Sequence, residues 1–309
     1  MSDAPLHNDL AEGPSDGRGY WLNTADGTRI RAGVWNASGG RGTVVLLPGR
    51  SEYVEKYGRA AAVLSKAGYA VLSLDWRGQG MADRVLADKM IGHVADFAEF
   101  QDDLDTLLTF ARAQGLAEPF HLLAHSMGGC IGLRSLMRGQ TFRSAVFSSP
   151  MWGIALPWWQ RPFALPLSTA AGALGLGHRY APGTGSVTYL IEAPFEGNNL
   201  TTDPEMWDYM RRQALALPDL SLGGPSLNWL QAALSECETL SRMPSPALPC
   251  LCALGSQEKV VDQNAIRTRM QRWPNGRLHL VAGAEHEVMM ERPALRDGFL
   301  GDAIAQFSG

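Results

Sequence analysis

Cysteine is scarce in this chain: there are four in 309 residues, Cys130, Cys237, Cys250 and Cys252. Their spacing matches neither a metal-ligand set nor a disulfide framework. Free thiols suit a reducing compartment, so a cytoplasmic location is expected. A basic excess is missing too. Lys plus Arg number 27 against 31 Asp plus Glu, a formal net charge of −4. That balance offers no electrostatic footprint for nucleic acid, and none is expected as a partner. No apolar stretch is clean enough to span a membrane. The nearest, Met151 to Leu176, is broken by Pro157, Pro162 and Pro166 and carries Arg161. Met1 to Gly19 has no basic start followed by an apolar run, so it does not read as a secretory signal. Its Asp, Gly and Pro content reads as a flexible tail. No internal repeat is seen.

What the chain does have is 45% hydrophobic residues, enough for a substantial core. Two runs, Tyr20 to Asn23 and Arg29 to Trp35, flank Asp26-Gly27 and read as a hairpin. Thr43 to Leu47, Ala70 to Leu74, Phe120 to Ala124, Ser144 to Ser149, Pro249 to Leu254 and Arg277 to Val281 read as strands. Helical stretches alternate with them: Tyr53 to Ala67, Phe97 to Gln114, Cys130 to Met137, Leu230 to Ser241, Asn264 to Trp273 and Pro293 to Phe307. Such alternation implies a mostly parallel sheet with helices on both faces. After Pro150 the pattern lapses. From Met151 to about Leu230 the chain is rich in Trp, Pro and Gly and holds five of the nine tryptophans: Trp152, Trp158, Trp159, Trp207 and Trp229. This divides the chain into a core (1–150), an inserted cap (151–230) and a resumed core (231–309). The apolar, proline-broken run at the start of the cap suits contact with an acyl chain, and a transient contact with a membrane surface.

The sequence is organised around Phe120-His121-Leu122-Leu123-Ala124-His125-Ser126-Met127-Gly128-Gly129, a buried strand passing through a tight turn into a helix. Ser126 stands at the apex. A serine can be a plain helix N-cap, but here its hydroxyl would lie at the carboxyl edge of a sheet, with free N–H groups of the next helix behind it. An attacking serine needs a base, an orienting carboxylate and oxyanion donors. His286, in Ala282-Gly283-Ala284-Glu285-His286-Glu287 after a late strand, has the position of the base. The loop Gly255 to Asp262 offers two acids. Glu258 is close enough to the strand end to face the cleft. Asp262 precedes a helix and reads as an N-cap, but stays an alternative. Either gives the chain order Ser, acid, His. The N–H of Met127 is one expected oxyanion donor. Pro48 has no N–H, so the main chain of Arg50 is the other, its guanidinium lying on the surface or against Glu52 or Glu55. Asp75, in the loop after its strand, reads as a residue that ties the loop by accepting N–H bonds. This chemistry needs no metal and no organic cofactor.

The segments Pro48 to Tyr53, Leu74 to Gly80, Ala124 to Gly129, Gly255 to Asp262 and Gly283 to His286 resemble the α/β-hydrolase superfamily. Within it they look like the branch of monoacylglycerol lipases and bacterial lysophospholipases, often grouped as serine aminopeptidase-like hydrolases. The resemblance covers the core and not the cap. Pro48 replaces a frequent histidine, Ala124 a glycine, and Glu258 an aspartate found in many relatives. It implies an α/β-hydrolase fold and a carboxylic-ester hydrolase of lipid monoesters working through an acyl-enzyme. Two other readings stay open: an aminopeptidase of the same superfamily, holding a substrate amine with Glu192, Glu196, Asp203 or Glu205, and a non-catalytic ligand-binding homologue. Oligomeric state is not legible.

Overall fold

A computed structural model describes residues 2–156 and 161–309 of the chain. Three antiparallel strands come first: β1 (Ser2–Ala4), β2 (Arg18–Asn23) and β3 (Arg29–Trp35), with a short helix α1 (Asn8–Ala11) between β1 and β2. The β2–β3 hairpin turns at Gly27, whose φ of 86° a residue with a Cβ rarely adopts. Then strands and helices alternate: β4 (Thr43–Leu47), α2 (Gly58–Lys66), β5 (Ala70–Asp75), α3 (Glu99–Ala113), β6 (Phe120–His125), α4 (Ser126–Met137) and β7 (Ala145–Ser148). Among the described residues, four α-helices follow without a named strand: α5 (Arg161–Ala173), α6 (Tyr189–Glu192), α7 (Pro204–Ala216) and α8 (Leu227–Arg242). The chain ends with β8 (Cys250–Gly255), α9 (Gln263–Gln271), β9 (Gly276–Val281) and α10 (Pro293–Ser308).

The strands form one sheet in the order β1-β2-β3-β5-β4-β6-β7-β8-β9. β3 pairs antiparallel with β5, and every pairing from β5 to β9 is parallel. The parallel strands β4 to β8 are buried on both faces, which explains their continuous apolar runs, whereas β9 at the sheet edge is only partly buried. Val45, Leu47, Leu122 and Ala124 face one core with Phe100, Leu104, Ile131 and Trp229. Val44, Leu46 and Leu123 face the other with Leu64, Met206 and Phe299. This is the mostly parallel sheet with helices on both faces expected from the alternation of elements, and it agrees with the α/β-hydrolase fold that the resemblance implies.

Two local expectations are corrected. The amino-terminal segment is not a flexible tail. Ser2 to Ala4 pair with Trp21 to Gly19, Ala11 is fully buried, and the Tyr209 hydroxyl donates to Ala11 O at 2.7 Å. Main-chain pairing and a few polar contacts, such as Asn8 Nδ2 to Gly17 O at 3.0 Å, hold a segment that hydropathy alone reads as loose. The stretch Tyr53 to Ala67 is also not one helix. Val54–Tyr57 is a 3-10 turn, and α2 starts at Gly58. A Cβ on Gly58 would lie 2.0 Å from Ala11 O, so the amino-terminal helix seats directly on this glycine.

Trp158 and Trp159 lie outside the described residues. Of the other tryptophans after Pro150, Trp152 packs on Phe147 and Trp273, and Trp229 on Phe97. Trp207 lies between Tyr189 and Phe195. Pro166 is accommodated inside α5. α7 inserts Met206, Tyr209 and Met210 into the second core.

The seat at Gly58 is testable. Alanine normally favours a helix, but here the added methyl meets a backbone carbonyl. Gly58→Ala is expected to cost about 1–3 kcal/mol, the usual range for overpacking. Thermal melting reads this as a Tm several degrees lower; an unchanged or raised Tm contradicts a seated amino terminus.

Candidate active site

β6 ends at His125, and Ser126 begins α4 with a left-handed φ of 48°. A non-glycine residue in this region carries strain of order 1–3 kcal/mol, and the neighbouring packing holds it there. A Cβ on Gly128 would lie 2.3 Å from Leu47 O, and one on Gly129 would lie 2.5 Å from Pro150 Cβ. The helix therefore leaves the strand at a distance only glycine permits. Ala124, in the position of a frequent glycine, is fully buried with its methyl in the first core.

The loops after β8 and β9 meet through another glycine. A Cβ on Gly255 would lie 2.1 Å from Glu285 O, so the two loops touch main chain to main chain. His286 follows from the second loop. Its Nε2 lies 3.0 Å from Ser126 Oγ, and its Nδ1 lies 2.7 Å from Glu258 Oε2. Glu258 Oε1 accepts from the N–H groups of Val260 at 2.6 Å and Val261 at 3.1 Å. Burial disfavours the Glu258 carboxylate, but His286 and these N–H groups outweigh it and hold its pKa below the ordinary value. Asp262 is not part of this line. It caps α9, accepting from Asn264 N–H at 2.9 Å.

Met127 is fully buried in the first turn of α4, where main-chain N–H groups lack helical acceptors. Across the cleft is the loop after β4. The Gly49 N–H donates to the Glu52 carboxylate. Arg50 supplies the loop's next N–H, which meets no acceptor among the described residues. The Arg50 side chain departs from expectation. It is neither on the open surface nor against Glu52 or Glu55. Its Nη1 donates to Gly223 O at 2.9 Å, and its guanidinium lies 5.6 Å from the Trp229 ring centre. Both glutamates are engaged elsewhere: Glu52 with Lys56 at 2.6 Å, and Glu55 with buried Arg31. Asp75 ties its loop as read, accepting from Arg31 Nε, Val54 N–H and Met81 N–H.

Sequence reasoning missed a buried charge cluster beneath these residues. Lys56 Nζ lies 2.6 Å from Glu52 Oε1 and 2.7 Å from Glu287 Oε1. His125 Nε2 lies 3.3 Å from Glu287 and 3.5 Å from Glu52, and its ring centre is 4.8 Å from that of His286. Burial works against charge on His125, but Glu287 and Glu52 hold its pKa above the ordinary value. Glu287 is held well below the carboxylate range: Lys56 and His125 overcome its burial. Glu52, His125 and Glu287 place ligand atoms within 4.8 Å of one another. Lys56 already supplies the positive charge a metal ion would bring. The signal available was the spacing of Glu52 and Lys56, an i,i+4 pair in a loop after a strand.

Ser126 and His286 open into a cavity of about 390 Å³, which Arg50, Glu192 and Thr184 also line. Its apolar lining includes Val187, Tyr189, Leu190, Leu200, Leu222 and Val260. Of the four acids named for a substrate amine, Asp203 caps α7, Glu205 pairs with Arg59 at 2.7 Å, and Glu192 alone lines the cavity.

Comparison with known proteins follows this geometry. Residues 39–293 match the family described as serine aminopeptidase, S33. The chain is 32% identical over 263 residues to the probable lysophospholipase L2 of Haemophilus influenzae, covering 84% of this chain and 82% of that one. It is 32% identical over 273 residues to lysophospholipase L2 of Escherichia coli, covering 85% and 79%. A soluble variant of monoglyceride lipase from Saccharomyces cerevisiae, in complex with a substrate analog, superposes with a TM-score of 0.71 at 19% identity, covering 93% of this chain and 94% of that one.

The charge cluster makes stability depend on pH with a definite sign. In the native chain the depressed pKa of Glu287 contributes stability above the unfolded value of about 4.3, and that stability is lost as pH falls. Lys56→Met leaves buried carboxylates without their ammonium, a loss of about 3–5 kcal/mol near neutral pH. The depression of the Glu287 pKa is then relieved, and the variant gains relative stability as that carboxylate binds a proton. The Tm deficit of Lys56→Met against the parent should shrink from pH 7.5 to pH 5.5. A deficit that is constant or grows on acidification contradicts the assignment.

Proposed function

The chain belongs to the serine aminopeptidase, S33 family of α/β-hydrolases, in its lysophospholipase and monoacylglycerol lipase-like branch, and on that premise we propose that it hydrolyses the acyl ester of lysophospholipids or monoacylglycerols through an acyl-enzyme. The observation that carries this reading is the line Glu258–His286–Ser126, with contacts of 2.7 and 3.0 Å, at the mouth of an apolar-walled cavity.

In this reading Ser126 Oγ attacks the ester carbonyl while His286 Nε2 takes its proton. Glu258 fixes the imidazole with Nδ1–H toward the carboxylate and stabilises the imidazolium. The N–H groups of Met127 and Arg50 receive the oxyanion. The intermediate collapses, the C–O bond to the glycerol backbone breaks, and His286 returns the proton to the leaving alcohol. Water then attacks the acyl-serine with His286 again as base, releasing the fatty acid and restoring the Ser126 hydroxyl. The buried Glu52–Lys56 pair positions the loop of Arg50 by holding Gly49.

Residues 151–230 act as a cap over this core, with α7 anchored in it and most of the cavity's apolar lining contributed by Val187, Tyr189, Leu190, Leu200 and Leu222. Contact between the cap and a membrane surface belongs to the same proposal; no helix among the described residues is long and apolar enough to cross a membrane. A cytoplasmic location rests on the free, buried cysteines. The aminopeptidase reading is not favoured, because the relatives at 32% identity are named lysophospholipases and two of the cap acids are already committed.

Ser126→Ala is expected to lower turnover by ~10³-fold or more in a protein that still folds. Glu258→Gln should lower kcat strongly, whereas Asp262→Ala should cost about 1 kcal/mol of stability as a lost helix cap and leave kcat near normal. The reverse pattern moves the carboxylate role to Asp262. Each acyl methylene buried contributes about 0.8 kcal/mol, so kcat/KM on p-nitrophenyl esters should rise by up to about fourfold per carbon from acetate to octanoate. A flat series, or cleavage of aminoacyl-naphthylamides, would sink the lipid reading.

A further inference from the structure

The cavity contains two long-chain cations, and they are not equivalent. Lys56 is spoken for, lying between Glu52 and Glu287 at 2.6 and 2.7 Å. Arg50 is not paired with any carboxylate among the described residues. Its guanidinium has five N–H donors, and Nη1 meets one carbonyl, Gly223 O, at 2.9 Å.

Its surroundings form a slot. The floor is built from residues 90–92 and 222–226: Gly223 N–H donates to Met90 O, Gly92 N–H to Gly224 O, and Ser226 N–H to Gly92 O, each at 2.8–3.0 Å. A Cβ on Gly92 would lie 2.9 Å from Arg50 Nη1, so a side chain there would displace the guanidinium. The indole of Trp229 backs it at 5.6 Å, and Leu222 lies beside Gly92 and lines the same cavity. The group is half-buried in accessible area, yet enclosed enough for desolvation to push its pKa down to about 10. It therefore keeps its charge at neutral pH while lacking a counter-ion. A charge that is desolvated and unpaired is costly in a resting protein, and a ligand anion removes that cost.

Arg50 follows, within the same loop, the Pro48-Gly49 turn that faces Ser126, and both residues line one cavity. We propose that the Arg50 guanidinium is an anion subsite that binds the phosphate of the substrate headgroup, so that the preferred substrate is a lysophospholipid rather than a neutral monoacylglycerol. This rests on the lipid-ester reading of the site. A guanidinium suits the task because it grips two phosphate oxygens at once. Glu192 lines the same cavity from α6 and repels an anion, which leaves the slot at Arg50 as the place for the phosphate. The acyl chain then lies along Val187, Leu190 and Val260.

The test compares two soluble short-chain esters, 1-hexanoyl-lysophosphatidylglycerol and 1-hexanoylglycerol, with the full chain as wild type, Arg50→Lys and Arg50→Met. Wild type should prefer the phosphate-bearing ester. Arg50→Met should lower the ratio of the two kcat/KM values by tenfold or more, chiefly through KM of the lysophospholipid. Arg50→Lys, charged but without the fork, should fall between. Equal losses on both esters, or an unchanged ratio, overturn the proposal. A second arm needs no turnover and separates a headgroup site from the lipid-ester reading. Glycerol 3-phosphate should bind wild type in calorimetry and bind Arg50→Met at least tenfold more weakly. Failure to hydrolyse either ester while this difference persists removes the lipid reading and keeps the anion site. No binding to wild type, or equal binding to both, removes the anion site.

Discussion

The backbone at Ser126 constrains everything else. Its φ of 48° is a conformation a serine does not choose for itself. The strain is held by contacts on both sides: β6 lies between β4 and β7, and α4 crosses Leu47 O and Pro150 so closely that only Gly128 and Gly129 fit. With the sheet fixing one end of the turn and the helix fixing the other, the hydroxyl has one place to be. The histidine and glutamate loops must then come to it. Gly255 lets them touch each other, and the N–H groups of His286 and Glu287 tie their loop to Asn199 O and Leu200 O. Side chains from three separate loops are thus brought into one line by main-chain contacts more than by their own.

Below that line the protein carries charge where a core would ordinarily exclude it. Two buried acids, a lysine and a histidine share the space between β4, β6 and the loop after β9. A similar arrangement joins Arg31 to Glu55 and Asp75 at the edge of the parallel strands. Each charge is paired, so desolvation is offset by close partners and the arrangement holds only while all members are present. The clusters fix loops rather than fill volume: Glu52 holds Gly49, and Asp75 holds Val54 and Met81. The loops that face the cavity are therefore set by polar contacts inside the fold.

Much of this was legible in the sequence, for identifiable reasons. Parallel strands buried on both faces read as apolar runs, and helices with one apolar stripe read by their period, so the sheet and its flanking helices followed from pattern. Ser126 and His286 stood out because each follows the end of such a run. Two acids after β8 were harder to separate. Glu258 stood nearer the strand end and Asp262 read as a helix cap, but sequence left both open, and it is the spatial meeting of loops that puts Glu258 on His286 and Asp262 on α9. The amino-terminal segment was misread because its order comes from backbone pairing with β2 and from a glycine fifty residues away, neither of which leaves a hydropathy signal. The Arg50 side chain was misplaced for the same reason: nearby glutamates suggested partners, but both are taken by cations that only the fold brings close.

The cavity itself joins two kinds of structure, and this bears on how substrate choice and chemistry are separated in the molecule. Ser126, His286 and Glu258 hang on strand ends whose neighbours are paired along their length. The wall residues Val187, Tyr189, Leu190 and Leu222 come from the segment between β7 and β8, whose short helix α6 has no buried residue. Val187 is half exposed and Tyr189 nearly so, at 50% and 41%. Exposed side chains such as Val187 and Tyr189 cost little to alter, whereas a change at the strand ends disturbs the sheet. Apolar side chains thus come from the segment between β7 and β8, and the fixed polar geometry comes from the sheet side. Arg50 is the exception. It belongs to the fixed loop after β4, yet its guanidinium reaches the main chain of Gly223 and lies beside Gly92.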